Sequence, residues 1–229
     1  MPSNIAVVIG STGGIGAALL RTLQDGRDFD AVIGLSRTSS PALDLRDEAS
    51  IAAAAGHVAG LGALRLVILC TGRLHGPGMQ PEKNLRSLDA AAMADAFIVN
   101  TIGPALVLKH FLPVLARDGR AVLAALSARV GSIGDNRLGG WYSYRAAKAA
   151  LNQVLHTAAV EVRRSHRQAI VVALHPGTVD TPLSAPFGKS GLDVQSPDIA
   201  AGRLLSVIAG LTPDDSGSFL DQHGKVVPW

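Results

Sequence analysis

Two kinds of apolar pattern alternate along this chain. Short continuous runs lie at residues 4–9 (NIAVVI), 29–35 (FDAVIGL), 64–69 (LRLVIL), 120–126 (RAVLAAL) and 168–174 (QAIVVAL). Runs of this length without polar alternation predict strands buried on both faces. Between them, apolar residues recur at helical spacing in AALLRTLQ after Gly16, in the alanine-rich 47–60, in 87–116, and from Tyr144 to about residue 166. A last helix starts at Ser196 or Asp198 and runs to about Ala209, and 218–220 makes a short final strand. This alternation predicts an α/β fold: one doubly wound parallel sheet of about seven strands, right-handed crossovers and helices on both faces. With no repeat, low-complexity tract or linker in the way, residues 1–229 read as a single domain.

The first strand runs into Gly10-Ser11-Thr12-Gly13-Gly14-Ile15-Gly16 and then directly into a helix. A strand, a glycine-rich turn and a helix in that order aim backbone N–H groups at a phosphate, and the missing side chains let a pyrophosphate approach. The context is that of a dinucleotide-binding Rossmann unit. In such a unit, an acid at the end of the second strand binds the ribose 2′-hydroxyl of NAD, whereas an arginine accommodates the 2′-phosphate of NADP. Here the strand ends in Ser36-Arg37-Thr38, so Arg37 favours NADPH over NADH. Asp44, with Leu45 beside it, either caps the next helix or lies next to the adenine. Gly72, after Cys70-Thr71 at the end of the third strand, gives the cofactor room.

Composition narrows the class. The chain has 229 residues, 48% of them hydrophobic and 17% charged, enough for a full core without staples. A single cysteine, Cys70, rules out an internal disulfide and any multi-cysteine metal site, and no metal is expected. The net charge of +3 is scattered. Its one local cluster, Arg163, Arg164 and Arg167, sits at a predicted helix end where cations complement the dipole, which argues against nucleic acid as a partner. Gly10 to Gly16 interrupts the one hydrophobic run near the start, and the other apolar runs fall short of a span. A cytoplasmic protein without membrane attachment is therefore expected.

The chemistry concentrates in GGWYSYRAAKAALN, residues 139–152. Tyr144 and Lys148 are one helical turn apart and share a face, and a cation beside a phenol favours the phenolate and lowers a pKa ordinarily near 10. Asn100 lies inside an apolar helix, where an amide must be hydrogen-bonded: it either ties two helices together or holds an active-site water. Pro104 predicts a local break beside it. Residues 183–195, rich in Ser, Gly and Pro, read as a substrate lid.

Gly10-x-x-x-Gly14-x-Gly16 near the start and Tyr144-x-x-x-Lys148 two thirds along resemble the short-chain dehydrogenase/reductase family, in particular its carbonyl reductase and C-factor-like subgroup. The resemblance spans essentially the whole chain. It implies that Tyr144 protonates a carbonyl oxygen as hydride arrives, that Lys148 lowers the tyrosine pKa and holds the nicotinamide ribose, and that Asn100 positions a water. It also implies cofactor contacts from Pro176, Gly177, Val179 and Thr181, and a homodimer or homotetramer. A serine usually binds the substrate carbonyl; its place here is taken by Ala128, which leaves Ser127, Ser132 or neither in that role. The expected function is an NADPH-dependent reductase of a small-molecule ketone or aldehyde, and the alternative is a nucleotide-binding signalling or regulatory protein with little turnover.

Overall fold

The computed structural model of the chain describes residues 3–76, 79–187, 191 and 193–229. The continuous apolar runs become β1 (Asn4–Ile9), β2 (Ala31–Leu35), β3 (Ala63–Leu69), β4 (Ala121–Leu126) and β5 (Ala169–His175). The two-residue strands β6 (Thr178–Val179) and β7 (Val194–Gln195) follow, then β8 (Phe219–Asp221). Six strands form one sheet in the order β2-β1-β3-β4-β5-β8, while β6 and β7 pair separately. Every neighbouring pair in the large sheet is parallel.

The sheet thus has six strands where about seven were expected. Between β2 and the next helix, a turn consumes the chain: Leu43 N donates to Ser36 O at 2.8 Å, and Ser39 Oγ bonds both Ser36 O and Pro41 O. A further parallel neighbour needs a crossover of about a dozen residues or more, and this connection has no room for one.

The helices are α1 (Gly14–Asp25), α2 (Glu48–Ala59), α3 (Ala90–Phe97), α4 (Gly103–Phe111), α5 (Tyr142–Val162) and α6 (Pro197–Gly210). Alternate residues of each strand face opposite layers. Ile5, Val7 and Ile9 pack with Ile51 and Val58 of α2, Phe111 of α4, and Leu151 and Leu155 of α5. Ala6 and Val8 pack with Leu19 and Leu23 of α1 and Leu204 and Ile208 of α6. Each such side chain, removed from water, contributes about 1.5–3 kcal/mol.

Two local expectations are corrected. Asp47, not Asp44, caps α2 by accepting from Ala49 N at 3.0 Å. Helix α5 ends at Val162 rather than near residue 166. The break predicted beside Asn100 within 87–116 is present: α3 passes through a π segment, Ile98–Ile102, into α4. Pro104 has no N–H for the Asn100 carbonyl four residues back, and the wider turn accommodates that gap. The helical run Ala90–Val114 is nevertheless long and apolar enough to cross a membrane by length and composition, which the sequence reading did not anticipate. Its Val107, Leu108 and Phe111 are buried in the core of this domain.

Candidate active site

The chain leaves β1 for β2 on one side and returns to β3 on the other, so the carboxyl ends of β1 and β3 flank the point where strand order reverses, the place where open α/β sheets bind ligands. The glycine-rich turn occupies it. Gly10 takes φ +83°, and its N–H donates to Leu35 O at 2.8 Å. A Cβ on Gly16 would lie 2.2 Å from Gly10 O, and one on Gly14 would lie 2.7 Å from Thr181 Cγ2. The turn therefore closes only with hydrogen at these positions. Ser11 Oγ donates to Leu35 O, Thr12 is exposed at the tip, and Ile15 packs on the α1 side of the core. No side chain caps α1, so its first N–H groups remain for an anion.

At the end of β2, Arg37 is exposed and forms no ion pair among the described residues. Asp44 Oδ1 accepts from Arg46 N at 3.0 Å, and its own N–H donates to Ser50 Oγ. Leu45 is buried, with its Cβ 2.5 Å from where a Cβ on Gly103 would stand. This packing brings the β2 exit against the start of α4, a few residues past Asn100.

Asn100 is wholly buried, and its side chain is fully engaged. Oδ1 accepts from Arg73 N at 3.0 Å; Nδ2 donates to Arg73 O at 2.9 Å and Ala96 O at 3.0 Å. The amide ties its own helix to the chain beyond β3, not to a second helix. Gly72 marks the convergence: a Cβ there would lie 3.5 Å from Asn100 Oδ1 and 3.7 Å from Lys148 Nζ. Lys148 Nζ donates to Leu126 O at 2.9 Å and lies 5.9 Å from the centre of the Tyr144 ring.

Burial pulls the Lys148 ammonium down to about 8 and pushes the Tyr144 phenol up, away from neutrality. The sequence reading expected the opposite direction for Tyr144. With the amine held by the Leu126 carbonyl under the ring, desolvation of the phenolate dominates.

Ser127 turns its Oγ into the interior, donating to Asn152 Oδ1 at 2.6 Å, and Ser132 Oγ accepts from Asp135 N. Neither hydroxyl bonds to Tyr144 or Lys148. Beyond β5, Pro176 O accepts from Gln195 Nε2 at 2.6 Å, Gly177 takes φ +78°, and Val179 is buried in the β6·β7 pair. Residues 188–190 and 192 of the expected lid lie outside the described residues. Within its described part, the Phe187 ring lies 4.9 Å from that of Trp141, which meets the Tyr144 ring edge-on at 6.4 Å.

Sequence reasoning missed four residues around this point: Trp141 and Phe187, which join the described part of residues 183–195 to Tyr144, and Glu82 and Arg145, which hold the start of α5. Glu82 is 61 positions from its partner Ser143, and no spacing rule links them. Arg145 could have been suspected, since two glycines shortly before a helix leave carbonyls for a cation. Among the described residues, no group of three or more His, Cys, Asp or Glu side chains could hold a metal.

A glycine cradle with an open helix terminus at the switch point, beside a buried tyrosine–lysine pair, fits a dinucleotide and defines a nucleotide-binding oxidoreductase. Residues 16–207 match the family model described as enoyl-(acyl carrier protein) reductase. The 1-hydroxy-2-glutathionyl-2-methyl-3-butene dehydrogenase of Rhodococcus sp. (strain AD45) is 30% identical over 97% of this chain and 98% of its own length. The C-signal protein of Myxococcus xanthus is 37% identical over 63% of this chain and 83% of its own. NADPH-bound carbonyl reductase from chicken fatty liver superposes with a TM-score of 0.85 at 28% identity, covering 99% of this chain and 98% of that one. The chain belongs to the short-chain dehydrogenase/reductase family, as an NAD(P)-dependent oxidoreductase.

Proposed function

We propose that this protein is an NADPH-dependent reductase of ketones or aldehydes in which Tyr144 donates the proton. The observation that carries this reading is the convergence of Asn100, Gly72, Lys148 and Tyr144 beside the glycine cradle. A bound nicotinamide nucleotide supplies hydride to a carbonyl carbon. Burial keeps the phenol of Tyr144 protonated at neutral pH, the state an acid must start from. Lys148, still mostly charged at pH 7, stabilises the phenolate as it develops. Gly10, Ser11, Thr12, Gly14, Ile15 and Gly16 would hold the pyrophosphate, Arg37 the 2′-phosphate, and Pro176, Gly177, Val179 and Thr181 the nicotinamide end. The Asn100 backbone carbonyl, to which Pro104 cannot donate, would hold a water.

Loss of NADPH absorbance with a panel of aromatic and aliphatic aldehydes and ketones tests the reading. Turnover by the wild type, abolished in Tyr144→Phe with NADPH affinity within about twofold, is the expected result; activity retained in the variant would remove Tyr144 from the role. A second reading, a nucleotide-binding regulatory protein, has one observation behind it: no hydroxyl stands at Ala128, and Ser127 turns inward. Tight NADPH binding without turnover on any carbonyl would select it.

A further inference from the structure

The start of α5 is held in an unusual backbone conformation. Gly139, Gly140 and Trp141 are three consecutive left-handed residues, with φ +64°, +65° and +52°. Trp141 is the one described non-glycine residue with positive φ, a conformation that persists only where its surroundings impose it. Two residues of opposite charge hold it here, Arg145 through its side chain and Glu82 through both its backbone carbonyl and its carboxylate. Arg145 takes the carbonyls: Nε donates to Gly140 O at 2.9 Å, Nη2 to Gly139 O at 3.1 Å and Nη1 to Val130 O at 3.2 Å. Glu82, buried and far away in sequence, takes the N–H groups. Its backbone carbonyl accepts from Trp141 N, while its carboxylate accepts from Ser143 N at 3.2 Å and from Ser143 Oγ.

Helix α5 has no side-chain cap of its own at Trp141. The Glu82 carboxylate therefore fills a cap position from another part of the chain, on the second residue of the helix and directly before Tyr144. A capping carboxylate also sits where the helix dipole favours it.

We propose that Glu82 is a positioning residue for Tyr144, acting through Ser143 and Trp141 to fix the first turn of α5 and hold the Trp141 ring against Phe187. The hydrogen bonds of Glu82 go to Trp141 and Ser143, and none reaches the phenol or the cradle. Its effect falls on the orientation of the phenol and on the aromatic wall beside it, and leaves nucleotide binding alone. The catalytic consequence rests on the proton-donor reading of Tyr144 given above.

The test uses the full-length protein with Glu82→Ala, Glu82→Gln and Ser143→Ala. Glu82→Ala is expected to lower kcat on the best carbonyl of the panel by about tenfold to a hundredfold, the scale of a misplaced reacting group, with the Kd for NADPH within about twofold of wild type. Glu82→Gln, which keeps an acceptor of the same shape, should recover most of that loss. A folded Glu82→Ala protein with unchanged kcat, or one losing NADPH affinity in place of kcat, would overturn the proposal. Ser143→Ala removes one bond and no backbone contact, so it reads the same link if Glu82→Ala does not fold: a kcat lowered a few fold supports the proposal and an unchanged kcat overturns it. Should the wild type bind NADPH but reduce nothing, the proton-donor reading fails and the positioning claim is decided separately. In a Trp229→Phe background, Trp141 is the sole tryptophan, and acrylamide quenching of its emission should rise on Glu82→Ala; equal quenching would overturn the proposal.

Discussion

Individual side chains in this site are governed by what burial does to charge. Lys148 is nearly inaccessible, and its pKa falls to about 8 from an ordinary 10.5. Below pH 8 both folded and unfolded chains carry the proton, and the full desolvation cost stands. Between about 8 and 10.5 the unfolded chain keeps a proton that the folded chain has released, so stability rises with pH across that window. Relative to Lys148→Met, wild-type unfolding free energy should rise by up to about 3 kcal/mol between those limits; parallel pH profiles in urea titrations would show that the ammonium is not desolvated. Arg37 is the contrasting case, an exposed cation with no ion-pair partner among the described residues at the end of β2. Arg37→Ala should weaken NADPH about tenfold or more while NADH changes little, and fluorescence titrations giving equal losses would remove the 2′-phosphate assignment.

At the scale of elements, the site is a set of chain reversals packed too closely for side chains. The junction of β1 and α1 depends on Gly16 resting against the Gly10 carbonyl. Gly16→Ala must push that turn open by more than an ångström, so NADPH binding should fall at least tenfold; an affinity within twofold of wild type, measured by calorimetry, would refute the close-packed cradle. The junction of α3 and α4 works differently. A π segment and a proline turn Asn100 inward, its amide binds the chain after β3, and Thr101 Oγ1 donates to Ala147 O of α5. One irregularity thus links the cradle side of the cleft to the helix carrying Tyr144 and Lys148.

For the whole molecule, the two-sided core leaves apolar surface near the carboxyl terminus. Trp229 docks on its own chain, its carbonyl accepting from Gly134 N and its ring stacking at 5.8 Å on Phe219. It remains 42% exposed, and Ile133, one residue before Gly134, is 77% exposed. Burying these residues against a second copy would remove them from water. Light scattering at micromolar concentration should therefore give a mass that is a multiple of the single chain, and a monomer would dismiss the expected dimer or tetramer.

What the sequence by itself determined is the class and its landmarks: the strands, the glycine turn, the Tyr144–Lys148 pair and the break at Pro104. Strands buried on both faces must be apolar throughout, close turns must be glycine, and neighbours one helical turn apart share a face, so all of these leave short-range marks. What only the tertiary structure decided is where polar groups separated by long stretches of chain find partners. Ser127 turns to Asn152, Asn100 spends its amide on Arg73, Glu82 reaches Ser143, and burial sets the direction of the Tyr144 and Lys148 shifts. Hydrogen bonds and desolvation act through space and have no period along the chain, so their outcome appears only once the layers have closed.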